Sequence, residues 1–149
     1  VPMVTVPDEI TRSAMLLDAC VAELAAHGVA AQRPPLGIMV EVPAVAVAPD
    51  LFRDAAFFSI GSNDLTQYVT AASRDDARVA ALNDPSHPAV TALISKVAQY
   101  GRGAGIPVSL CGDMASEPRH LATLLDAGLT SLSVAPARIA RLKAAIAEL

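Results

Sequence analysis

Five short apolar runs punctuate the chain, at residues 1–4, 36–40, 57–60, 107–110 and 131–134. Each is four or five residues long, which suits a strand buried on both faces. Between the runs, apolar positions recur with helical spacing. The segment LLDACVAELAAHG can be opened by Asp8 as a cap and stops at Gly28. Part of residues 44–54 predicts a second helix, with Pro49 limiting its regularity. Short helical pieces follow at 66–72 and 77–82. Ser86 is placed to begin a longer helix carrying Val90, Leu93, Ile94 and Val97 on one face and ending between Gly101 and Gly105. Ser116 is the cap expected for the next helix, with Pro118 in its first turn and Gly128 beyond its end. The last helical pattern starts near Pro136 and runs to Leu149.

Strand followed by helix, five times over, implies an α/β fold with parallel strands and right-handed crossovers. An open doubly wound sheet and a closed barrel both fit that order. A complete (β/α)8 barrel takes about 250 residues, so five units make roughly five-eighths of one. No linker or low-complexity segment divides the chain, and residues 1–149 read as one domain.

Composition narrows the function classes. Hydrophobic residues make up 53% of the chain, too many for a disordered tail. Asp18 and Glu23, or Glu41, Pro43 and Pro49, interrupt the most apolar stretches, so no membrane span is expected. The net charge is −4 and the 11 basic residues are scattered, which argues against nucleic acid as a partner. Cys20 and Cys111 are the only cysteines and lack metal-type spacing, which fits a reducing cytoplasm. No signal pattern is visible, and a first residue of Val rather than Met implies that the N-terminus is not native.

Polar residues gather just past the strand ends, where sites form in parallel α/β folds. Glu41 follows LGIMV, Asn63 and Asp64 follow FFSIGS, and Cys111 follows PVSL. Two carboxylates on neighbouring strand ends can hold Mg²⁺, which completes its shell with water and substrate oxygens. Each acid equally suits a helix cap or a basic partner. Gly61 and Gly112 would let backbone approach a ligand, or simply turn the chain. The Cys111 thiol can donate a proton or attack as a nucleophile; a buried structural cysteine is the plainer alternative. Arg74 can fold back onto phosphate or carboxylate through its planar fork, or remain a solvated surface charge. His27, His87 and His120 have no partners at metal or triad spacing, and no catalytic role is expected of them.

Taken in order, GIMVEVPAVAV (37–47), FFSIGSNDLTQY (57–68) through Arg74, NDPSHPAV (83–90), SLCGDMASEP (109–118) and SLSVAPARI (131–139) resemble the phosphoenolpyruvate-utilising enzyme family. The resemblance covers nearly the whole chain. It runs closest to phosphoenolpyruvate-protein phosphotransferase, Enzyme I of the bacterial sugar phosphotransferase system. It implies a parallel (β/α) barrel of TIM type, here a partial barrel of about five units. It implies that Glu41 and Asp64 are Mg²⁺ ligands and that Asn63, Asp64 and Arg74 contact phosphoenolpyruvate. Cys111 matches the proton donor that turns enolpyruvate into pyruvate. The family dimerises through this barrel. It passes phosphate to a histidine on another domain and then to a small histidine-containing phosphocarrier protein.

Two substrate-holding arginines expected from earlier barrel strands and the phosphohistidine domain are not in this sequence, so a fragment of a longer chain is expected, inactive alone. Asp113, where glutamate is the commoner residue, and Ser62, where threonine is, are smaller departures. Two other readings compete. One is a fragment of pyruvate phosphate dikinase or phosphoenolpyruvate synthase. The other is a non-catalytic dimerisation module, against which the retained site residues speak.

Overall fold

The computed structural model describes residues 1–149. Three parallel strands lie side by side in chain order: β1 (Ile38–Val40), β2 (Phe58–Gly61) and β3 (Val108–Cys111). Parallel neighbours need a crossover. Between β1 and β2 it is α2 (Pro43–Val47) with a 3₁₀ turn at Pro49–Phe52; between β2 and β3 it is α3 (Ser62–Thr70) and α4 (Pro88–Ala104). Helix α1 (Asp8–Ala26) precedes the sheet, and α5 (Asp113–Ser116), α6 (Leu121–Asp126) and α7 (Ile139–Ala147) follow it. No helix is long and apolar enough to cross a membrane.

The two outer apolar runs are attached to this sheet without forming continuous strands. The Val1 amino group donates to the Gly37 carbonyl at 2.7 Å, and the Met39 N–H donates to the Val1 carbonyl at 2.8 Å. Pro2 has no N–H to continue the ladder. Met3, the next donor, turns to φ 54° and gives its N–H to a side chain instead. At the other edge, one parallel bridge joins Leu110 to Leu132. The chain then enters a 3₁₀ turn at Pro136–Arg138.

Register explains the two faces of the sheet. Ile38, Phe58 and Val108 align, as do Val40, Ile60 and Leu110; between them run Met39, Ser59 and Ser109 on the opposite face. All of the first two rows except Val108 are buried, whereas Met39, Ser59 and Ser109 are half-buried. The expectation of strands buried on both faces therefore holds for one face only, because two of those three central positions are serines. The apolar face joins Val45, Leu65, Val90, Ile94 and Val97 in a single core. Phe58 and Tyr100 stack there, with ring centroids 6.2 Å apart.

Three helix starts differ from the sequence reading. Pro7, not Asp8, precedes α1 and no side chain caps it; instead the Glu9 carboxylate reaches back to accept the N–H groups of Thr5 at 2.6 Å and Val6 at 3.0 Å, tying the incoming chain to the first turn. Those bonds hold the Glu9 carboxyl below the ordinary carboxylate range. His87, not Ser86, caps α4, its Nδ1 accepting from the Ala89 N–H at 3.1 Å. With Pro88 at the first helical position, the cap falls on the residue before it. Ser116 closes α5 rather than opening the next helix, and a 3₁₀ turn at Pro118–His120 leads into α6.

Candidate functional site

The carboxyl end of the sheet is where the predicted residues converge. Alternation along each strand puts Met39 and Glu41, Ser59 and Gly61, and Ser109 and Cys111 on the same face. Glu41, just past β1, is 2% exposed. Its Oε1 accepts the Met3 N–H at 2.7 Å. Every fully buried side-chain nitrogen or oxygen in the molecule has a hydrogen-bond partner. Oε2 of Glu41 accepts no bond, so it must keep contact with solvent at the mouth. A Cβ added at Gly61 would fall 2.6 Å from Oε2, and the glycine thus makes the space this oxygen occupies. No cation pairs with Glu41: the ion pairs of the molecule are Arg33 with Asp18 and Arg78 with Asp76.

Cys111 ends β3 opposite Gly61. Its thiol is free and half-buried, and the Ser59 hydroxyl donates to its Sγ at 3.8 Å. The Ser62 hydroxyl donates to the Cys111 carbonyl at 2.7 Å, tying the start of α3 to the exit of β3. Gly112 has φ 96° and ψ −173°, a conformation reserved in practice for glycine. A Cβ there would also lie 2.4 Å from Ser62 Oγ and 2.8 Å from Asn63 Oδ1. The close approach delivers Asp113 to Asn63. The Asp113 N–H donates to Asn63 Oδ1 at 2.9 Å, and Asn63 Nδ2 donates to Asp113 Oδ2 at 3.1 Å.

Asp64 lies in the first turn of α3 and is half-buried. Neither of its carboxylate oxygens takes a hydrogen bond or an ion pair, and the helix N-terminus favours its charge. Arg74 is exposed in the loop after α3, without hydrogen bond or ion pair. The structure therefore links Glu41, Asn63 and Cys111 through Gly61, Ser62 and Gly112, and leaves Asp64 and Arg74 with no direct bond to that set. No three His, Cys, Asp or Glu side chains gather as a metal cage would need. Sequence reasoning passed over Met3, Ser59 and the pairing role of Asp113. Ser59 was legible, since it stands two residues before Gly61 and so shares its face. Met3 was not, because its contact spans 38 residues.

A cavity of about 450 Å³ lies elsewhere, between α6, α7 and residues 129–134. It is mostly apolar and shares no residue with the sheet mouth. Enzyme chemistry needs convergent polar groups, which the mouth supplies and this cavity largely lacks, so the mouth is the better candidate.

Residues 1–149 match the family described as PEP-utilising enzyme, PEP-binding domain. The chain belongs to this family. A relative from Haloferax volcanii named phosphoenolpyruvate-protein phosphotransferase is 40% identical over 148 residues, 99% of this chain and 26% of its own length. A Salmonella typhimurium protein named phosphoenolpyruvate-dependent phosphotransferase system is 39% identical, over 95% of this chain and 19% of its own. The chain thus spans about a quarter or less of the curated relatives it matches. Among solved structures, a citrate lyase from Burkholderia xenovorans superposes with a TM-score of 0.69 at 18% identity, covering 97% of this chain and 47% of that one. At that identity the likeness is one of fold. The strand-end motifs of the PEP-utilising family are thus set on a parallel α/β framework shared with enzymes of different names.

Proposed function

We propose that this chain is the phosphoenolpyruvate-binding part of a phosphoenolpyruvate-protein phosphotransferase of the bacterial sugar phosphotransferase system, acting in the cytoplasm. On this reading it forms about five β/α units of a TIM-type barrel through which the whole protein dimerises. The three-strand parallel ladder, with an apolar run hydrogen-bonded at each edge, supports that architecture. The whole protein moves the phosphoryl group of phosphoenolpyruvate to a histidine on another domain, then to the histidine-containing phosphocarrier protein, and releases pyruvate.

The observation that carries the reading is Glu41: a nearly inaccessible carboxylate with one N–H partner, no cation, and a second oxygen without a donor. A buried anion is costly unless compensated. Together with the unbonded carboxylate of Asp64, it offers an all-oxygen donor set that fits Mg²⁺, which takes one or two carboxylates and fills its shell with water and substrate. Bound there, Mg²⁺ would supply positive charge to the substrate oxygens as the phosphoryl group leaves.

The remaining steps fall to this chain's own groups. Asn63 donates to the bound anion and holds its orientation. Arg74, free of any partner, swings in from its exposed loop to neutralise the phosphoryl oxygens. After transfer, Cys111 gives its Sγ proton to the methylene carbon of enolpyruvate, yielding pyruvate. The Ser59 hydroxyl, which donates to the sulfur, would stabilise the thiolate left behind.

Calorimetric titration of the full-length protein with phosphoenolpyruvate in MgCl₂ tests this reading. Binding is expected for the wild type and for Cys111→Ala, and loss of binding for Asp64→Ala. Cys111→Ala should slow pyruvate formation by about 10²–10⁴-fold, the usual contribution of a general acid. Wild-type protein that ignores phosphoenolpyruvate, or a Cys111 variant of unchanged turnover, would refute the corresponding part.

A further inference from the structure

The amide of Asn63 has a fixed polarity. Its oxygen faces a donor that cannot change, the backbone N–H of Asp113, at 2.9 Å. Its nitrogen faces the Asp113 carboxylate, which when ionised only accepts, at 3.1 Å. Turning the amide over would oppose its N–H₂ to an N–H and its oxygen to a carboxylate. Only one orientation satisfies both bonds, so it follows from the pairing rather than from the amide's outline. In that orientation one Nδ2–H is committed to Asp113. The other is the amide's free donor.

Two neighbouring features enforce the pairing. Gly112, at φ 96°, brings the strand exit closer to Asn63 than any residue with a Cβ would allow. The Ser62 hydroxyl anchors the first residue of α3 to the Cys111 carbonyl at 2.7 Å. The backbones on either side of the pair are thereby held in place, and the Asn63 side chain is set by Asp113 alone.

We propose that Asp113 is a positioning residue that fixes the Asn63 amide so that its uncommitted Nδ2–H is offered to an anionic oxygen of the ligand. This rests on the reading of Asn63 as a substrate-binding residue and deepens it. It assigns the site a preference for ligands that present phosphate or carboxylate oxygens to Asn63. The carboxylate of Asp113 does not touch the ligand; it acts through the amide. It also polarises that amide, since a bond to a charged acceptor strengthens its partner's remaining donor.

A double-mutant cycle on the full-length protein tests the proposal, with phosphoenolpyruvate in MgCl₂ as the probe and affinity read by calorimetry. Asn63→Ala and Asp113→Ala should each weaken binding by about tenfold. The double variant should be no weaker than Asn63→Ala alone, because the Asp113 carboxylate acts only through the Asn63 amide. Asp113→Glu, which keeps a carboxylate, should recover most of the affinity. Losses that simply multiply, or an Asp113→Ala variant that binds like wild type while Asn63→Ala does not, would overturn the positioning role and leave the site intact. An Asn63→Ala variant of wild-type affinity would remove Asn63 from the site, and this proposal with it. Should Asp113→Ala fail to fold, hydrogen exchange of the Asn63 side-chain amide in the unliganded wild type decides. One Nδ2–H is expected to be protected by the Asp113 carboxylate and the other free to exchange. Equally rapid exchange of both would count against the proposal.

Discussion

Helix α1 has 19 residues and buries only Ile10, whereas α4 has 17 and buries Val90, Ile94, Val97, Ala98 and Gly101. Both have amphipathic sequences, so the pattern alone does not separate them. Position does. Helix α4 packs into the core built on the central strands, with Tyr100 stacked on Phe58. Helix α1 stands before the sheet and leaves Met15, Leu16 and Leu24 exposed. The candidate site draws on both regions. Asn63, Cys111 and Asp113 hang on the firmly packed side, while Glu41 is held by a residue of the segment leading into α1. Fixed geometry on one side and a lighter attachment on the other distinguish Asn63, Cys111 and Asp113 from Glu41.

Substitutions can break this contrast or sharpen it. The largest effect is expected at the core of α4: Ile94→Ala should destabilise the protein by about 2–5 kcal/mol, the range for emptying a buried aliphatic position, as read by chemical denaturation. A loss below about 1 kcal/mol would erase the distinction between the helices. Next comes Gly112→Ala, which places a Cβ against Ser62 and Asn63 at a strained φ. It should cost about 1–3 kcal/mol and disturb the Asn63 side-chain resonance more than any signal of α1.

A smaller effect concerns acid. His120 is buried beside α6, and its pKa is lowered, first by burial and then by the Arg119 charge, with Asp84 and Glu117 opposing. In the window below the unfolded value of about 6.5 the unfolded chain binds more protons than the folded one. Stability from this group is therefore complete above that value and declines as pH falls. His120→Gln should flatten that part of the Tm-against-pH curve, and an unchanged curve would assign the acid sensitivity elsewhere. The smallest effect is expected on the outer face of α1: Leu16→Ser should alter stability by about 0.5 kcal/mol or less, and a loss comparable to that of Ile94→Ala would mean that α1 is covered in solution.

Much of the framework was legible because short apolar runs and helical periods report burial directly. The runs at 36–40, 57–60 and 107–110 became β1, β2 and β3 within a residue or two at each end. The runs at 1–4 and 131–134 were located correctly but overread as strands, since apolar character does not reveal whether a neighbour supplies a full ladder. Caps failed where several candidates stood close together: α1 starts after Pro7 with no side-chain cap, and Pro88 fixed the cap of α4 on His87. At the site, the strand-end rule picked out Glu41, Asn63 and Cys111, which the structure ties together through glycines and serines. The same rule picked out Asp64, whose side chain, like that of Arg74, makes no bond that would report its direction; Arg74 itself rests on the family resemblance. Asp113 was noticed only as an unusual residue. Its pairing depends on the turn at Gly112 and has no signature in spacing.

The bond from Met3 to Glu41 spans 38 residues of sequence. It supplies a donor to a carboxylate that is almost wholly inside the molecule. The segment before α1 and the exit of β1 are therefore coupled: unseating Met3 would strand an anion in the interior without its backbone donor, a costly state.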